Sequence, residues 1–273
     1  MAGILYVVAT PIGNLEDMTY RAVRILGEVA RIACEDTRQT RKLVDHFGIH
    51  KPLVSYHDHN EAERTAQFLA ELEAGSSIAL VSDAGTPLIS DPGYRLVHAA
   101  LDAGITVVPI PGPVAFATAL SASGLPTDDI RFGGFLPAKS GQRRRALEDL
   151  RGESATVAFY ETPHRLLDAL DDIDAVLGDR PVVVARELTK LHEEFLRGTA
   201  ASIRAALAGR PGGVKGEITL LIGKATHAVV DDSPVEAAVA ALEASGIPRM
   251  DAIKQIARER GLPKRDVYRL VTE

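Results

Sequence analysis

Residues 4–15 read ILYVVATPIGNL, a short apolar run that leads directly into a loop containing proline and glycine. The apolar run has the length of a β-strand and carries no basic leader. We therefore predict a strand over Ile4–Ala9 rather than a signal peptide or a membrane span. The residues that follow, Thr10 to Asn14, are expected to form a turn at the end of this strand. A strand followed by such a loop is the pattern that recurs in the first half of the chain.

The apolar spacing of the first half predicts strands that alternate with amphipathic helices. The predicted strands are Ile4–Ala9, Ile32–Cys34, Ile78–Val81 and Thr106–Ile110, and the predicted helices are Thr19–Leu26, Thr37–Phe47 (with Thr37 as its N-cap), Glu61–Glu73 and Tyr94–Ala103. This alternation indicates an α/β fold with a mainly parallel sheet whose faces are covered. Ligands bind at the carboxyl ends of the strands in such sheets, so we expect the functional residues in the loops that follow them.

A proline-rich stretch, PIPGP at residues 109–113, interrupts this alternation because proline cannot continue a central strand. We predict a domain hinge there, with an N-terminal α/β domain at 1–113 and a C-terminal α/β domain at 114–225. The elements predicted in the second domain are the helices Val114–Ser121 and Pro163–Leu177 and the strands Phe132–Leu136, Val157–Tyr160, Val182–Ala185 and Ile218–Ile222. Thr162 is the expected cap of the longer helix.

The last part of the chain differs from both domains. Lys224–Ser233 is predicted to be a polar linker, and residues 234–273 are predicted to be a helical tail. Within the tail, residues 252–268 have the layout of a helix, a turn at Gly261 and a second helix, which resembles a helix–turn–helix pair. Two interpretations of this tail are equally supported: a small helical cap on the second domain, and a segment that contacts RNA.

Composition restricts the classes of function. The chain has 273 residues, enough for two domains, and Cys34 is its one cysteine, which excludes an intramolecular disulfide or a cysteine-based zinc site. The net charge of −6 does not suggest a nucleic-acid partner, so any RNA-binding surface has to be a local basic patch. The sequence lacks the dinucleotide, P-loop and G-x-S-x-G motifs. His57 and His59 lie in a polar segment with no obvious third ligand, so we predict no metal site.

Four loops rich in glycine and proline stand at the ends or starts of predicted strands, at residues 10–15, 82–93, 111–113 and 211–219. A backbone without Cβ atoms can approach a ligand closely. Each loop alone is typical of a tight turn. Together, at strand ends, they predict a site in which backbone groups hold a small polar molecule.

Several gap-free motifs give the chain a specific resemblance. They are residues 6–17 (YVVATPIGNLED), 34–38 (CEDTR), 56–61 (YHDHNE), 82–93 (SDAGTPLISDPG), 134–139 (GFLPAK), 159–165 (FYETPHR) and 185–190 (ARELTK). From about Leu5 to Ile222 the chain resembles the ribosomal RNA small subunit methyltransferase I family, which is similar in fold to the tetrapyrrole methylases. The resemblance implies two α/β domains with S-adenosylmethionine in the cleft between them, followed here by a small all-helical tail. It also implies 2′-O-methylation of a decoding-region cytidine of 16S rRNA, cytidine 1402.

The resemblance assigns individual residues to the methyl donor. From the first domain and the turn after it these are Pro11, Asp83, Ala84, Gly85, Thr86, Ser90, Val114 and Ala115. From the second domain, near the adenine, they are Tyr160, Ala185, Glu217, Ile218 and Thr219. The first loop reads PIGN where tetrapyrrole methylases carry a Gly-Pro-Gly-Asp type of loop, and this departure favours the ribosomal branch.

A ribose hydroxyl is a weak nucleophile at neutral pH, so a nearby base is expected to assist its methylation. The candidate bases are Asp36, His57, His59 and Glu187. Arg38 and Lys190 are candidates for lowering the pKa of the hydroxyl or steadying a phosphate. The choice among these residues stays open, and a structural ion pair is an equally good account of Glu187 and Arg186.

Two basic clusters are candidates for phosphate contacts, which give salt-dependent affinity. The denser cluster contains Lys139, Arg143, Arg144 and Arg145, and the other contains Arg38, Arg41 and Lys42. A solvated helix face is the alternative for either cluster. The acidic net charge favours recognition of a shaped ribosomal surface, the assembled small subunit, over free RNA in general.

The resemblance further implies a homodimer. The single cysteine fits a reducing compartment and the apolar run at the N-terminus has the length of a strand, so we expect a cytoplasmic location and no membrane partner. Two other functions stay open. A small-molecule methylase for a tetrapyrrole intermediate would share the fold and the methyl donor but would need a pocket without RNA features. A non-enzymatic ribosome-binding module would bind no methyl donor.

Overall fold

The first half of the chain folds around a parallel sheet. The computed structural model describes residues 2–225, 233–260 and 262–272. The strands of the first sheet are β1 (Ile4–Val8), β2 (Arg31–Cys34), β3 (Leu53–Ser55), β4 (Ile78–Val81) and β5 (Thr106–Ile110), in the order β3-β2-β4-β1-β5. All four strand pairs are parallel, so the carboxyl ends of the strands meet at one edge of the sheet. Because β1 pairs with both β4 and β5, the loops that follow these three strands are neighbours.

Four helices cover the two faces of this sheet. They are α1 (Tyr20–Glu28), α2 (Thr37–His46), α3 (Glu61–Glu73) and α4 (Tyr94–Asp102). Side chains alternate between the faces along each strand. Val8 of β1 accordingly packs in the apolar cluster of α1 and α2, whereas Leu5 packs in the cluster of α3 and α4.

Asp36 caps helix α2, and the prediction that Thr37 is the cap is wrong. The Asp36 carboxylate accepts a hydrogen bond from the backbone N–H of Arg38 at 2.8 Å. A capping residue precedes the helix and has extended backbone angles. Asp36 has such angles, while Thr37 is already the first helical residue.

The second half folds around a mixed sheet. Its strands are β6 (Ile130–Phe135), β7 (Thr156–Glu161), β8 (Pro181–Arg186), β9 (Glu194–Thr199) and β10 (Ile218–Ile222), in the order β6-β7-β10-β8-β9. The β6–β7 pair is parallel, and the three other pairs are antiparallel. The strand that comes last in the sequence, β10, therefore lies at the centre of this sheet, and all five of its residues are buried.

Helices also cover both faces of the second sheet. Helices α6 (Ser140–Glu148), α7 (Leu166–Leu177) and α8 (Ala200–Ala208) pack on one face, and α5 (Ala115–Ser123) packs on the other. Ile12, from the loop after β1, belongs to the same apolar cluster as Ala119 and Leu120 of α5. The two halves of the chain are thus joined by packed apolar side chains, and the fold has the two α/β units that the sequence predicts.

Several elements differ from the predictions. Strands β3 and β9 and helices α6 and α8 have no predicted counterpart. Strand β3 has only three residues, and β9 is an edge strand whose residues are half-buried or exposed. Helix α7 begins at Leu166, so the prediction that Thr162 caps it is wrong. Thr162 instead donates its backbone N–H to the carboxylate of Glu161 at 2.7 Å, in a turn that precedes the helix.

The described part of the tail contains three helices, α9 (Val235–Ala244), α10 (Arg249–Glu259) and α11 (Lys264–Thr272). They enclose a small apolar cluster of their own, which includes Val239, Ile253 and Val267. Gly261 and most of the predicted linker, residues 226–232, lie outside the described residues. None of the helices described here is both long and apolar enough to cross a membrane. The division of the chain at residues 1–113, 114–225 and 234–273 stays a prediction.

Candidate active site

A cavity of about 350 Å³ lies between the two sheets. Its walls are formed by Ile12, Ala84, Gly85, Thr86, Ile89, Ser90, Asp91, Val114, Ala115, Phe135, Tyr160, Glu161, Thr162, Pro163, Leu188, Gly216, Glu217, Ile218 and Thr219. These residues come from the loops after β1, β4 and β5 on one side and from the second sheet and its loops on the other. A cavity of this size is typical of small-molecule sites.

Backbone groups hold the first-domain wall together. The N–H of Thr10 donates to the carbonyl of Gly85 at 2.8 Å, and the N–H of Gly85 donates to the carbonyl of Thr10 at 3.0 Å. The hydroxyl of Thr86 donates to the carbonyl of Pro113 at 3.1 Å. Three of the four loops rich in glycine and proline are therefore joined at this wall.

The loop after β4 contains left-handed backbone at the cavity. Gly85 has a φ of 82°, and the non-glycine residues Leu88 and Ser90 have φ values of 72° and 69°. Such angles cost on the order of 1 kcal/mol or more for a residue with a side chain, so they persist where the surroundings impose them. In this loop they bring Ser90 and the residues beside it into the cavity wall.

Aromatic side chains support the second-domain wall. The rings of Phe116 and Phe132 stack with centroids 4.6 Å apart, and the ring of Phe132 meets Tyr160 edge to face at 4.9 Å. Tyr160 also meets Phe135 edge to face at 5.8 Å. Burial raises the pKa of Tyr160, so its hydroxyl stays protonated at neutral pH. Phe135 lines the cavity but is 51% exposed, so it stands between the cavity and solvent.

A charged network connects the second-domain wall with the first loop. Lys190 Nζ lies 2.9 Å from Glu187 Oε1 and 3.1 Å from Glu217 Oε2, and Glu217 lines the cavity. A Cβ atom placed on Gly13 would lie 2.5 Å from Cγ of Lys190. The loop after β1 therefore packs directly against the stem of Lys190, and a side chain at position 13 would force Lys190 to shift.

Ten of the thirteen residues assigned to the methyl donor line this cavity: Ala84, Gly85, Thr86, Ser90, Val114, Ala115, Tyr160, Glu217, Ile218 and Thr219. Pro11, Asp83 and Ala185 do not. Pro11 precedes the lining residue Ile12, and the carboxylate of Asp83 accepts a hydrogen bond from the backbone N–H of Asp36 at 3.0 Å. The side chain of Ala185 is fully buried in the apolar cluster of Ile12, so it has no access to the cavity.

In the described structure none of the candidate bases lines the cavity. The guanidinium of Arg38 lies 2.7 Å from the carboxylate of Asp36, and hydrogen bonds from Arg38 lower the pKa of Asp36 to about 2. A hydrogen bond from Lys190 likewise lowers the pKa of Glu187. Carboxylates with lowered pKa values are weak bases, so these two residues are poorly suited to accept a proton.

The two histidines belong to the loop before α3. Asn60 bonds both the ring and the backbone of His57, and the ring of the exposed His59 lies 5.9 Å from that of His57. Across residues 2–225, 233–260 and 262–272, no group of three or more His, Cys, Asp or Glu side chains is arranged to hold a metal ion.

A different carboxylate does line the cavity, namely Asp91. Burial raises the pKa of Asp91, and the nearby charge of Asp83 adds to the increase. Burial also raises the pKa of Glu35, with Asp83, Asp91 and Asp58 contributing. These four acids gather at the carboxyl edge of the first sheet. Asp91 lies inside the loop at 82–93 that the sequence singles out, but its exposure to the cavity is visible only in the fold.

The residues of the denser basic cluster differ in their exposure to solvent. Arg143 is buried at 3% exposure, with its guanidinium 2.7 Å from the buried carboxylate of Asp172, so it is not part of a basic surface. Arg144 bonds the same carboxylate at 2.6 Å from a half-exposed position. Lys139 and Arg145 are exposed, and so is Lys42 of the other cluster, which bonds Gln39. The prediction of a surface role is therefore wrong for Arg143, because α7 supplies its partner.

Comparisons with known proteins agree with this architecture. Residues 4–204 match the family model of the tetrapyrrole (corrin/porphyrin) methylases. The crystal structure of uroporphyrin-III-C-methyltransferase from Thermus thermophilus shares the fold, with a TM-score of 0.56 and 22% identity over 82% of this chain and 95% of that chain. The fold and the cavity between its two sheets thus define a methylase of the tetrapyrrole type.

Closer relatives specify the branch. The chain is 51% identical to a ribosomal RNA small subunit methyltransferase I from Halalkalibacterium halodurans, over 98% of this chain and 94% of that protein. It is 50% identical to a ribosomal RNA small subunit methyltransferase I from Synechocystis sp., over 99% of this chain and 98% of that protein. The chain belongs to the ribosomal RNA small subunit methyltransferase I family.

Proposed function

We propose that this protein uses S-adenosylmethionine to methylate the 2′-hydroxyl of a decoding-region cytidine of 16S rRNA, acting on the assembled small ribosomal subunit. The observation that carries the proposal is the cavity between the sheets, because most residues that the family resemblance assigns to the methyl donor line it. The names of the close relatives support the ribosomal substrate.

The cavity walls fit such a donor. The polar groups of Thr86 and Ser90 and the backbone of the loop at 82–93 are suited to its amino-acid end. The apolar and aromatic wall around Tyr160 and Ile218 is suited to its adenine. When bound, the donor supplies a methyl group on a sulfonium, which is already a good electrophile. The task left to the protein is to position the hydroxyl, and fixed geometry contributes up to about 7–11 kcal/mol to such reactions.

The RNA substrate requires a second kind of surface. Phe135 is half-exposed beside the cavity, and exposed aromatic rings are common platforms for an unstacked base. The exposed Lys139, which precedes α6, and Arg144 and Arg145 within α6 are candidates for phosphate contacts, and Lys42 is a candidate on α2. With these assignments the cytidine base rests on Phe135 while its ribose enters the cavity.

The decisive experiment measures methyl transfer from radiolabelled S-adenosylmethionine by the purified full chain. We expect labelling of assembled small subunits, little labelling of short naked RNA and none of a porphyrinoid precursor, with the label mapped to a 2′-O-methylcytidine. Labelling of the porphyrinoid would favour the tetrapyrrole alternative. No binding of S-adenosylmethionine at millimolar concentration in calorimetry would refute the enzymatic function.

The RNA surface is tested by reversing exposed charges. The double variant Lys139→Glu, Arg145→Glu is expected to weaken binding of the small subunit and to reduce its salt dependence, because each lost phosphate contact lowers the salt slope by about one. Affinity for S-adenosylmethionine should not change. Unchanged subunit binding would refute this surface.

We also propose a homodimer, as the family resemblance implies, and a cytoplasmic location with no membrane partner. Light scattering of the purified chain tests the first proposal, and a mass of one chain would contradict it. Fractionation of cells tests the second, for which we expect the protein in the cytoplasmic fraction together with ribosomes.

A further inference from the structure

Three acidic residues line the cavity, and they differ in their partners. Glu161 lies 3.3 Å from the guanidinium of Arg165, and Glu217 lies 3.1 Å from Lys190 Nζ. Asp91, in contrast, forms no ion pair with any residue that the structure describes. Its carboxylate is the one in the cavity wall whose charge is not offset by a neighbouring cation of the described chain.

The surroundings of Asp91 contain acids and hydroxyls. Ser82, whose hydroxyl donates to the carbonyls of Ala84 and Gly85, and Asp83 lie near its carboxylate in the same loop. Glu35 faces it from the loop after β2, and Tyr160 faces it from β7. Like charges and partial burial favour the protonated form of a carboxyl group. Asp91 therefore binds a proton more tightly than an ordinary aspartate, as its raised pKa indicates.

The position of Asp91 relative to Phe135 is also informative. Both residues line the cavity. The loop that carries Asp91 approaches the end of β6 closely, since a Cβ atom on Gly134 would lie 4.0 Å from Oγ of Ser90. A nucleotide whose base rests on Phe135 would therefore place its ribose close to this loop.

We propose that Asp91 is the general base of the reaction and accepts the proton of the ribose 2′-hydroxyl. This inference rests on the proposed function. The O–H bond breaks and its proton moves to a carboxylate oxygen of Asp91. The electron pair left on the hydroxyl oxygen forms the bond to the methyl carbon, and the methyl–sulfur pair stays with the sulfur as a neutral thioether. Asp91 then releases its proton to water.

The test compares Asp91→Asn with the wild-type chain in single-turnover methylation of small subunits, so that product release does not hide the chemical step. We expect the rate at saturating substrates to fall by about 10²- to 10⁴-fold, the usual contribution of a positioned base. The affinities for S-adenosylmethionine and for the small subunit should stay within about threefold of wild type. Asp91→Glu retains a carboxylate and should recover part of the rate.

A matched control is Asp102→Asn, which makes the same chemical change at an exposed site on α4. Its rate should equal that of the wild type. Thermal unfolding of each variant shows whether the fold is retained.

The pH dependence gives an independent measurement on the wild-type chain. The rate of the wild type should increase with pH as Asp91 loses its proton and then level off. The rate of Asp91→Asn should lack this increase. A wild-type rate that is independent of pH across the acidic range would overturn the assignment.

The outcomes separate the two proposals. If the wild type methylates the small subunit and Asp91→Asn keeps its rate, Asp91 is not the base but the proposed function stands. If Asp91→Asn weakens donor binding tenfold or more and has a normal rate at saturation, Asp91 holds the donor and the inference is wrong. If the wild type neither binds the donor nor methylates the subunit, the proposed function itself fails.

Discussion

The acidic side chains of the two halves of the protein differ in their surroundings and in their pKa values. In the first half, Glu35, Asp58, Asp83 and Asp91 gather at one edge of the parallel sheet, and burial raises the pKa of two of them. In the second half the acids near the cavity and in the core are bound by cations. Hydrogen bonds from Arg210, for example, lower the pKa of Glu194 to about 2. Carboxyl groups of the first half thus bind protons more tightly near the cavity. Those of the second half are ionised and paired with cations.

The walls of the cavity differ in the same way. The first-domain wall is built from backbone groups in loops whose angles favour glycine, and the second-domain wall is built from side chains on strands and from ion pairs. Substitutions in the first half should therefore act mainly on ligand binding and catalysis. Substitutions of the ion-paired residues in the second half should act mainly on stability, and the following experiments test this contrast.

The largest expected effect is on the stability of the second half. Arg143→Met leaves the buried carboxylate of Asp172 without its buried partner and should lower the free energy of unfolding by about 3 kcal/mol or more. Arg144→Met removes a half-exposed partner of the same carboxylate and should cost less than about 1 kcal/mol. Urea denaturation measures both values. Equal losses would show that burial does not distinguish the two arginines.

The next effect concerns the backbone wall. Gly85→Ala introduces a side chain at a φ of 82°, where its Cβ would lie 3.4 Å from Ile12 Cγ2. Gly104→Ala is a matched control at a φ of 70° with open space around it. Both variants should lose about 1 kcal/mol of stability to backbone strain. Gly85→Ala alone should also weaken S-adenosylmethionine binding by tenfold or more, about 1.4 kcal/mol, in calorimetry. Equal affinities of the two variants for S-adenosylmethionine would contradict the proposal that the loop containing Gly85 forms part of the donor site.

The smallest effect concerns the network at Lys190. Lys190→Met keeps an apolar stem against Gly13 but removes the cation that lowers the pKa of Glu187. A carboxyl with a lowered pKa in the fold adds stability above its unfolded pKa of about 4.5, and this is lost as the pH falls through the folded value. We expect the variant to be less stable by up to about 1 kcal/mol at pH 7, with the difference vanishing in acid.

The measurement for this prediction is denaturation of both chains at neutral and acidic pH. Lys139→Met, at an exposed lysine, is the control and should show no such pH-dependent difference. A stability difference that persists unchanged in acid would assign the effect to packing instead of charge.

Local patterns predicted much of this fold. Helix Glu61–Glu73 and strands Ile78–Val81, Thr106–Ile110 and Ile218–Ile222 begin and end at the predicted residues, because each has a clear apolar period and a defined stop. The antiparallel pairing of the second sheet was not predictable in this way. Strand direction depends on which strands become neighbours, and β10 pairs with two strands that precede it by many residues.

The site shows the same limit. The loops rich in glycine and proline, and most residues assigned through the family resemblance, do meet at one cavity. The partners of charged residues were not predictable, because Asp172 lies 29 residues from Arg143 and the two meet only when α6 packs on α7. The absence of a cation beside Asp91 among the described residues likewise depends on tertiary packing.

The central place of β10 has a consequence for synthesis on the ribosome. Strands β7 and β8 leave the exit tunnel well before residues 218–222, and each then presents an unpaired, apolar edge that β10 later fills. A nascent chain arrested before Ile218 should therefore depend on chaperones and aggregate without them. It should also lack the donor site, since Ile218 and Thr219 complete the cavity wall.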